Sequence, residues 1–245
     1  MRDGEERQPH ASLDQNSRIK KAAKIERLLS KVCCVPGSRV LEVGTGSGII
    51  AGHFSTVVGE QGSVHAVDVV DQRQIRTGFN FQLVANTSLP FDDDEFDICI
   101  SNHVIEHVGD RWDQEQHLNE LRRILKPEGW LYLAVPNRWT LVEPHFRLPF
   151  LSWLPRRLRD PYVKFAGRGT RYDCDPPSHS ELESLFAQTH FSHKEVTLDG
   201  IKVVAEFEFE PGLRQQLLFS SHLWAPFLHG ILPSYLYLAQ PRVST

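Results

Sequence analysis

Val40-Leu41-Glu42-Val43-Gly44-Thr45-Gly46-Ser47-Gly48-Ile49-Ile50 decides the fold of this 245-residue chain. An apolar strand-like run beginning at Arg39 passes straight into three alternating glycines and then into the apolar start of a helix. Glycine at 44, 46 and 48 lets the backbone turn tightly and approach a ligand where a Cβ would collide. The N–H groups exposed at the following helix start favour an anionic group, such as a carboxylate. A dinucleotide fingerprint needs glycine or alanine where Ile49 stands, which disfavours NAD and FAD.

Outward from this turn, strands and helices alternate. The pattern predicts a strand at Arg39 to Val43, a helix at Ile49 to Val57 and a strand at Gly62 to Asp68. Further strands are expected at Phe81 to Val84, Phe96 to Ser101 and, after a Lys126-Pro-Glu-Gly129 turn, Trp130 to Val135. A helix is expected from Trp112 to Leu125. This is the rhythm of a mostly parallel α/β sheet. Upstream, Ile19 to Val32 has the spacing of a basic amphipathic helix, ended by Pro36-Gly37. Downstream, Ser178-His-Ser-Glu181 has the form of a capping box opening a helix that ends near Gln188. Strand-like runs at Glu195 to Leu198 and Ser234 to Ala239 make seven strands available. The expected organisation is a flexible tail over residues 1–16 and one domain over 17–245. Insertions are placed at about 137–177, a lid or substrate platform, and at about 201–232.

Composition is that of a globular, soluble, cytoplasmic protein: 40% hydrophobic, 24% charged, net charge −4. The charge gives no global attraction for a nucleic-acid backbone. Cys33, Cys34, Cys99 and Cys174 show no paired zinc-type spacing and read as reduced thiols, Cys99 in a buried strand. The polar N-terminus has no secretory signal, and the apolar stretch Leu217 to Leu232, broken by Pro226, falls short of a membrane span. That stretch reads as core packing, a lid or an interfacial helix, which leaves peripheral membrane contact open.

Glu42, two residues before the first glycine, and Asp68, at the end of the next strand, complete a pattern that resembles the class I S-adenosylmethionine (SAM)-dependent methyltransferases. The resemblance continues in order through Leu89-Pro-Phe91, Phe96-Asp97, Ser101-Asn-His-Val-Ile-Glu-His107, Leu125-Lys-Pro-Glu-Gly129 and Val135-Pro136. It implies a Rossmann-like doubly wound seven-stranded sheet, order 3-2-1-4-5-7-6, with helices on both faces. It also implies SAM as cofactor. Glu42, Gly44, Thr45, Gly46, Ser47 and Gly48 would line the methionine and ribose side, Asp68 the ribose and Val69 the adenine face. Asn86 and Thr87 would lie by the adenine edge, and Asn102 with His103 under the methionine part. Two departures stand out. Ala85 occupies the position where many relatives carry an Asp, and the helix after Asp68 is cut to Gln72 to Thr77.

His103, Glu106 and His107 form H-x-x-E-H, which on a helix would share one face. It is similar to the E-x-x-E-H of small-RNA 2′-O-methyltransferases and ubiquinone-pathway O-methyltransferases, with His for the first Glu. No metal is expected, because no further ligand can be located from the sequence. His103 and His107 are instead candidate general bases. In the first insertion Trp139, His145, Trp153 and Tyr172 either wall an acceptor pocket or bury the insertion. The basic run Arg156 to Arg171 either meets an anionic partner or is a solvated face. The expected reaction moves a methyl group to O, N or C of a small or medium-sized acceptor, anionic and lipid-like ones included. The rivals are a non-catalytic SAM-binding or partner-activating module and an RNA methyltransferase. The latter is disfavoured by net charge and by Ser-Asn-His-Val after the fourth strand.

Overall fold

The structure is a computed structural model that describes residues 15–143, 145–208 and 232–242. Seven strands form one sheet: β1 (Arg39–Val43), β2 (Ser63–Asp68), β3 (Asn80–Leu83), β4 (Phe96–Asn102), β5 (Leu125–Pro136), β6 (Phe191–Glu195) and β7 (Ser234–Pro241). Their order is β3-β2-β1-β4-β5-β7-β6. The pairs from β3 to β5 are parallel, whereas β7 runs antiparallel to both β5 and β6. This is the Rossmann-like order implied by the motifs.

The near-continuous apolar runs of β1 and β4 follow from burial on both faces, and alternate residues supply the two cores. On one face Leu41, Val43, Cys99, Leu131 and Leu133 pack with α3 (Arg111–Ile124) and α5 (His179–Gln188) through Leu118, Leu121, Leu185 and Phe186. On the other, Val40, Ile98, Ile100 and Tyr132 meet α1 (Gln15–Leu29), α2 (Ile49–Val58) and α6 (Thr197–Glu208) through Ile25, Leu28, Phe54 and Val203. Phe54 is fully buried, and emptying such a site costs about 3–5 kcal/mol. The four cysteines are free thiols, Cys99 buried in β4 as expected.

Several elements differ from expectation. Helix α1 begins at Gln15, so residues 15 and 16 belong to it and not to a tail; residues 1–14 lie outside the described residues. Gln72 to Thr77 forms no helix. Asp71 binds the backbone N–H and guanidinium of Arg73, while the N–H groups of Gln74 and Ile75 donate to Ser47 O at 2.9 and 3.1 Å, tying the segment beneath the glycine turn. The strand placed at Glu195 to Leu198 is Phe191–Glu195, and Thr197 opens α6, so Ile201 to Glu208 is helix rather than the start of an insertion. The apolar stretch from Leu217 falls at residues 209–231 outside the described residues. Among the described residues no helix is long and apolar enough to cross a membrane.

The first insertion has structure of its own. It contains a short 3-10 turn at Leu151–Trp153 and α4 (Arg156–Phe165) over a small core of Phe146, Leu148, Leu151, Val163, Tyr172 and Cys174. One member of the basic run is neither solvated nor free for a partner. Arg159 is buried and clamps the insertion, its Nε donating to Leu154 O at 2.8 Å, Nη2 to Ser152 O at 3.2 Å and Nη1 to Asp175 Oδ1 at 3.2 Å.

Candidate functional site

The carboxyl ends of the parallel strands form the ligand edge of an open α/β sheet. Here they present Gly44 after β1, Val69 after β2, Asn102 at the end of β4 and His103 after it, and the first insertion after β5. Gly44, Gly46 and Gly48 have φ of +75°, +54° and +78°, left-handed backbone that other residues rarely adopt. A Cβ on Gly44 would lie 2.4 Å from the Val104 side chain, and one on Gly48 2.4 Å from Ile75 O.

Two carboxylates hold this turn. Glu42 Oε2 accepts from Thr45 Oγ1 at 2.7 Å and from the Ala51 N–H at 2.9 Å, capping the first turn of α2. Burial pushes its carboxyl up to about 8, against the opposing pull of Thr45, Arg18 and Ala51. Asp68 Oδ2 accepts from Gly46 N at 2.8 Å, and Oδ1 from Val69 N at 2.7 Å. Oδ1 also accepts from Val70 N at 3.4 Å, so of the four lone pairs of the carboxylate one, on Oδ2, stays open to a further hydroxyl donor. A glycine cradle beside an acid with a spare acceptor fits an adenosine ribose joined to a small charged tail. Val69, directly after β2, is 37% exposed. Thr45 and Ser47 are buried within the turn, the Ser47 hydroxyl without a hydrogen-bond partner among the described residues. Beyond β3, Asn86 Oδ1 accepts from the Ser88 N–H, which commits one end of its amide to a local turn beside half-buried Thr87.

Helix α1 brings to these carboxylates charges that sequence reasoning passed over. Arg18 is 8% exposed; burial lowers its guanidinium while Glu42 and Asp68 pull the other way. Lys21 is lowered by burial and by Arg18, with Glu106 opposing. The signal was available: Arg18 falls on the stripe that Ala22, Ile25 and Leu29 carry into the core.

Across β4 lies a second group. H-x-x-E-H is not on an α-helix: His103 directly follows β4 at φ +58°, its N–H bonded to Ala134 O at 2.9 Å, and only Ile105–His107 forms a 3-10 turn. The three side chains still converge. The carboxylate of Glu106, 1% exposed, lies 3.4 Å from His103 Nδ1, 3.9 Å from His107 Nε2 and 3.9 Å from His145 Nε2. Burial alone would raise Glu106, but the three imidazoles hold it below the usual carboxylate range. Burial lowers His103, against Glu106. His145 is raised instead: burial opposes, and Glu143, bonded to Nδ1 at 2.8 Å, prevails with Glu106 and Asp173.

Of the four acceptor-side candidates, His145 joins this group and Tyr172 packs under it, its ring 5.4 Å from Phe146. Trp139 and Trp153 are 48% and 42% exposed and meet each other edge to face at 5.9 Å. Trp153 Nε1 donates to Thr140 O at 3.0 Å, and its ring lies 5.1 Å from Phe150. Glu143 and Cys174 belong with the Glu106 group, although no spacing in the chain announced Cys174.

Residues 41–133 match the family described as methyltransferase domain. Over that stretch, 93 of the 245 residues, the chain is similar to the class I SAM-dependent methyltransferase superfamily. A ubiquinone biosynthesis O-methyltransferase of Bartonella bacilliformis is 27% identical over 139 residues, which are 53% of this chain and 54% of that protein. A ubiquinone/menaquinone biosynthesis C-methyltransferase of Vibrio parahaemolyticus is 34% identical over 120 residues, 44% of this chain and 45% of that one. The chain thus spans about half the length of these curated relatives. In fold it resembles an S-adenosylmethionine dependent methyltransferase from Mesorhizobium loti, at 16% identity and a TM-score of 0.55. That alignment covers 91% of this chain and 99% of that one. In this fold the glycine turn and Asp68 lie at the carboxyl ends of β1 and β2, and the Glu106 group lies beyond β4 beside the first insertion.

Proposed function

We propose that this methyltransferase-family chain moves a methyl group from SAM to O, N or C of a small or medium-sized acceptor bound between β4 and the first insertion. The observation that carries this reading is the glycine turn tied to Asp68 on one side of β4, with histidines gathered round a buried carboxylate on the other. Glu42, Gly44, Thr45, Gly46, Ser47 and Gly48 would hold the amino-acid end of the cofactor. Asp68 would hold the ribose, and Val69, Asn86 and Thr87 the base, with Asn102 and His103 beneath. When bound, SAM supplies an electrophilic methyl on a cationic leaving group.

What remains for the protein is alignment and, for a hydroxyl acceptor, proton removal. His103 suits the second task. Burial lowers its imidazole, which keeps the base form at neutral pH, and Glu106 at 3.4 Å from Nδ1 would stabilise the imidazolium once the proton arrives. His107 is the second candidate. The names of the two curated relatives favour an aromatic acceptor with a hydroxyl or a nucleophilic ring carbon. Arg18 and Lys21 at the mouth favour one carrying negative charge.

The test has two stages. Calorimetry should show S-adenosylhomocysteine binding, and a panel of phenols, quinols, amines and carboxylates should be screened with methyl-labelled SAM. His103→Gln should lower kcat for the accepted compound by about 10²–10⁴-fold, a loss well beyond any change in cofactor affinity. Binding of NAD with none of S-adenosylhomocysteine would overturn the reading. Binding without transfer to any class would favour a partner-activating module.

A further inference from the structure

The fold supplies what the H-x-x-E-H stretch lacks in the sequence. His107, in the turn after β4, His145, in the first insertion, and Cys174, on the segment leading to α5, each offer a donor atom, and these atoms all lie within 4.8 Å of one another. His107 Nδ1 is 3.6 Å from Cys174 Sγ. From these contacts we infer that His107, His145 and Cys174 form a binding site for a zinc-class divalent cation, bordered by Glu106.

Donor chemistry selects the ion. Imidazole nitrogen and thiolate sulfur suit zinc and its borderline neighbours, whereas magnesium and calcium take oxygen ligands. Tetrahedral zinc with bonds of about 2.0–2.3 Å puts its donors about 3.3–3.8 Å apart, so closing round the ion requires about 1 Å of side-chain movement.

Both imidazoles are already oriented. Glu143 Oε1 holds His145 Nδ1 at 2.8 Å and leaves Nε2 toward the cluster, while Glu106 faces the Nε2 side of His107 and leaves Nδ1 toward Cys174. A carboxylate behind the non-ligating nitrogen is the usual support of a metal-binding histidine. Glu143 is itself fixed, its Oε2 accepting from the Phe146 N–H at 2.6 Å. Cys174 is held in place because the Asp175 N–H donates to Glu106 O at 2.8 Å and Gln114 Nε2 to Asp175 O at 2.9 Å.

The second observation is Glu106. It is 1% exposed, and neither carboxylate oxygen has a hydrogen-bond partner of normal geometry among the described residues. A buried carboxylate left so is costly, and a cation beside it removes the cost. Two strands' worth of separate chain would also be joined, since the ion ties the first insertion to the end of β4.

The experiment uses the whole chain, stripped with chelator and titrated with cobalt(II) and zinc(II) alone. One equivalent of cobalt should bind and give a thiolate-to-metal charge-transfer band, and zinc should displace it and protect Cys174 from alkylation in peptide mapping. Cys174→Ser should abolish the band, and both Cys174→Ser and His145→Gln should weaken zinc at least tenfold, with circular dichroism showing that each is folded. Cys33→Ser, remote from the cluster, should change nothing. Should Cys174→Ser fail to fold, alkylation protection in the unaltered chain and His145→Gln decide the matter. Absence of stoichiometric binding, or binding undiminished in both variants as expected if surface histidines hold the ion, overturns the inference.

Discussion

Gly48→Ala tests how closely the cofactor turn is built. The residue sits at φ +78°, and a left-handed conformation costs an L-residue about 1–2 kcal/mol. Its new Cβ would stand 2.4 Å from the Ile75 carbonyl oxygen and 3.1 Å from Phe79 Cζ. The Ile75 carbonyl belongs to backbone that the N–H groups of Gln74 and Ile75 tie to Ser47 O, so it cannot swing aside as a side-chain tip would. Forcing an extra methyl into such a place costs about 1–3 kcal/mol more. Gly37→Ala is the internal control, because it shares the left-handed backbone, at φ +80°, but its Cβ would meet nothing within 4 Å. Gly48→Ala should therefore lose about 3 kcal/mol, and Gly37→Ala only the backbone share of about 1–2 kcal/mol. For a chain of this size those losses correspond to about 6–12 °C and about 2–8 °C in Tm. Urea unfolding followed by circular dichroism, with thermal scans alongside, measures both. Equal losses in the two variants would refute the reasoning, because the contact with Ile75 would then carry no weight.

Three further outcomes are expected. Asp68→Ala should weaken S-adenosylhomocysteine by about 1.5–3 kcal/mol in calorimetry, through an unmade hydroxyl bond to a charged acceptor, and an unchanged affinity would remove Asp68 from the ribose. Glu42 is pushed up to about 8 in the fold against about 4.3 in an unfolded chain, so the unfolded state gives up its proton first. Its contribution is complete below about pH 4.3 and is lost by up to about 1.4 kcal/mol per pH unit as pH rises toward 8. Glu42→Gln should flatten that decline in urea midpoints taken at pH 5, 6.5 and 8, and parallel profiles would count against it. Trp139→Ala removes a ring already 48% exposed, so Tm should fall by no more than a few degrees. KM for the acceptor should rise while S-adenosylhomocysteine affinity stays within about threefold; loss of both ligands together would make Trp139 a packing residue.

The half of the site assigned here to the cofactor was legible because it is local. Glu42, the glycines and the helix start lie within eleven residues, and Asp68 ends the next strand, so period and turn chemistry suffice. The Ser178–Glu181 capping box was equally plain, and both of its bonds form. The other half is built from residues distant in the chain. His107 and Cys174 are 67 positions apart and meet only because the first insertion folds back over β4. Propensity also misled where tertiary bonds won: within Gln72 to Thr77 the N–H groups of Gln74 and Ile75 go to Ser47 O, and the apolar run after Thr197 serves a helix as readily as a strand. Arg159 looked like one basic residue among six, and only the carbonyls of Ser152 and Leu154 reveal it as a clamp.

Strand β7 lies between β5 and β6 and bonds to both, although it is the last of the three to leave the ribosome. During synthesis the edge of β5 and all of β6 therefore wait unpaired, with Tyr132, Leu133 and Phe191 committed to cores that cannot yet close. Exposed edges of this kind are where nascent chains find wrong partners. The parallel half of the sheet can assemble early, but the domain becomes one cooperative unit only when Ser234–Pro241 slides into the gap. Stalling translation between Glu195 and Ser234 should yield a protease-sensitive, aggregation-prone intermediate, and releasing the stall should rescue it.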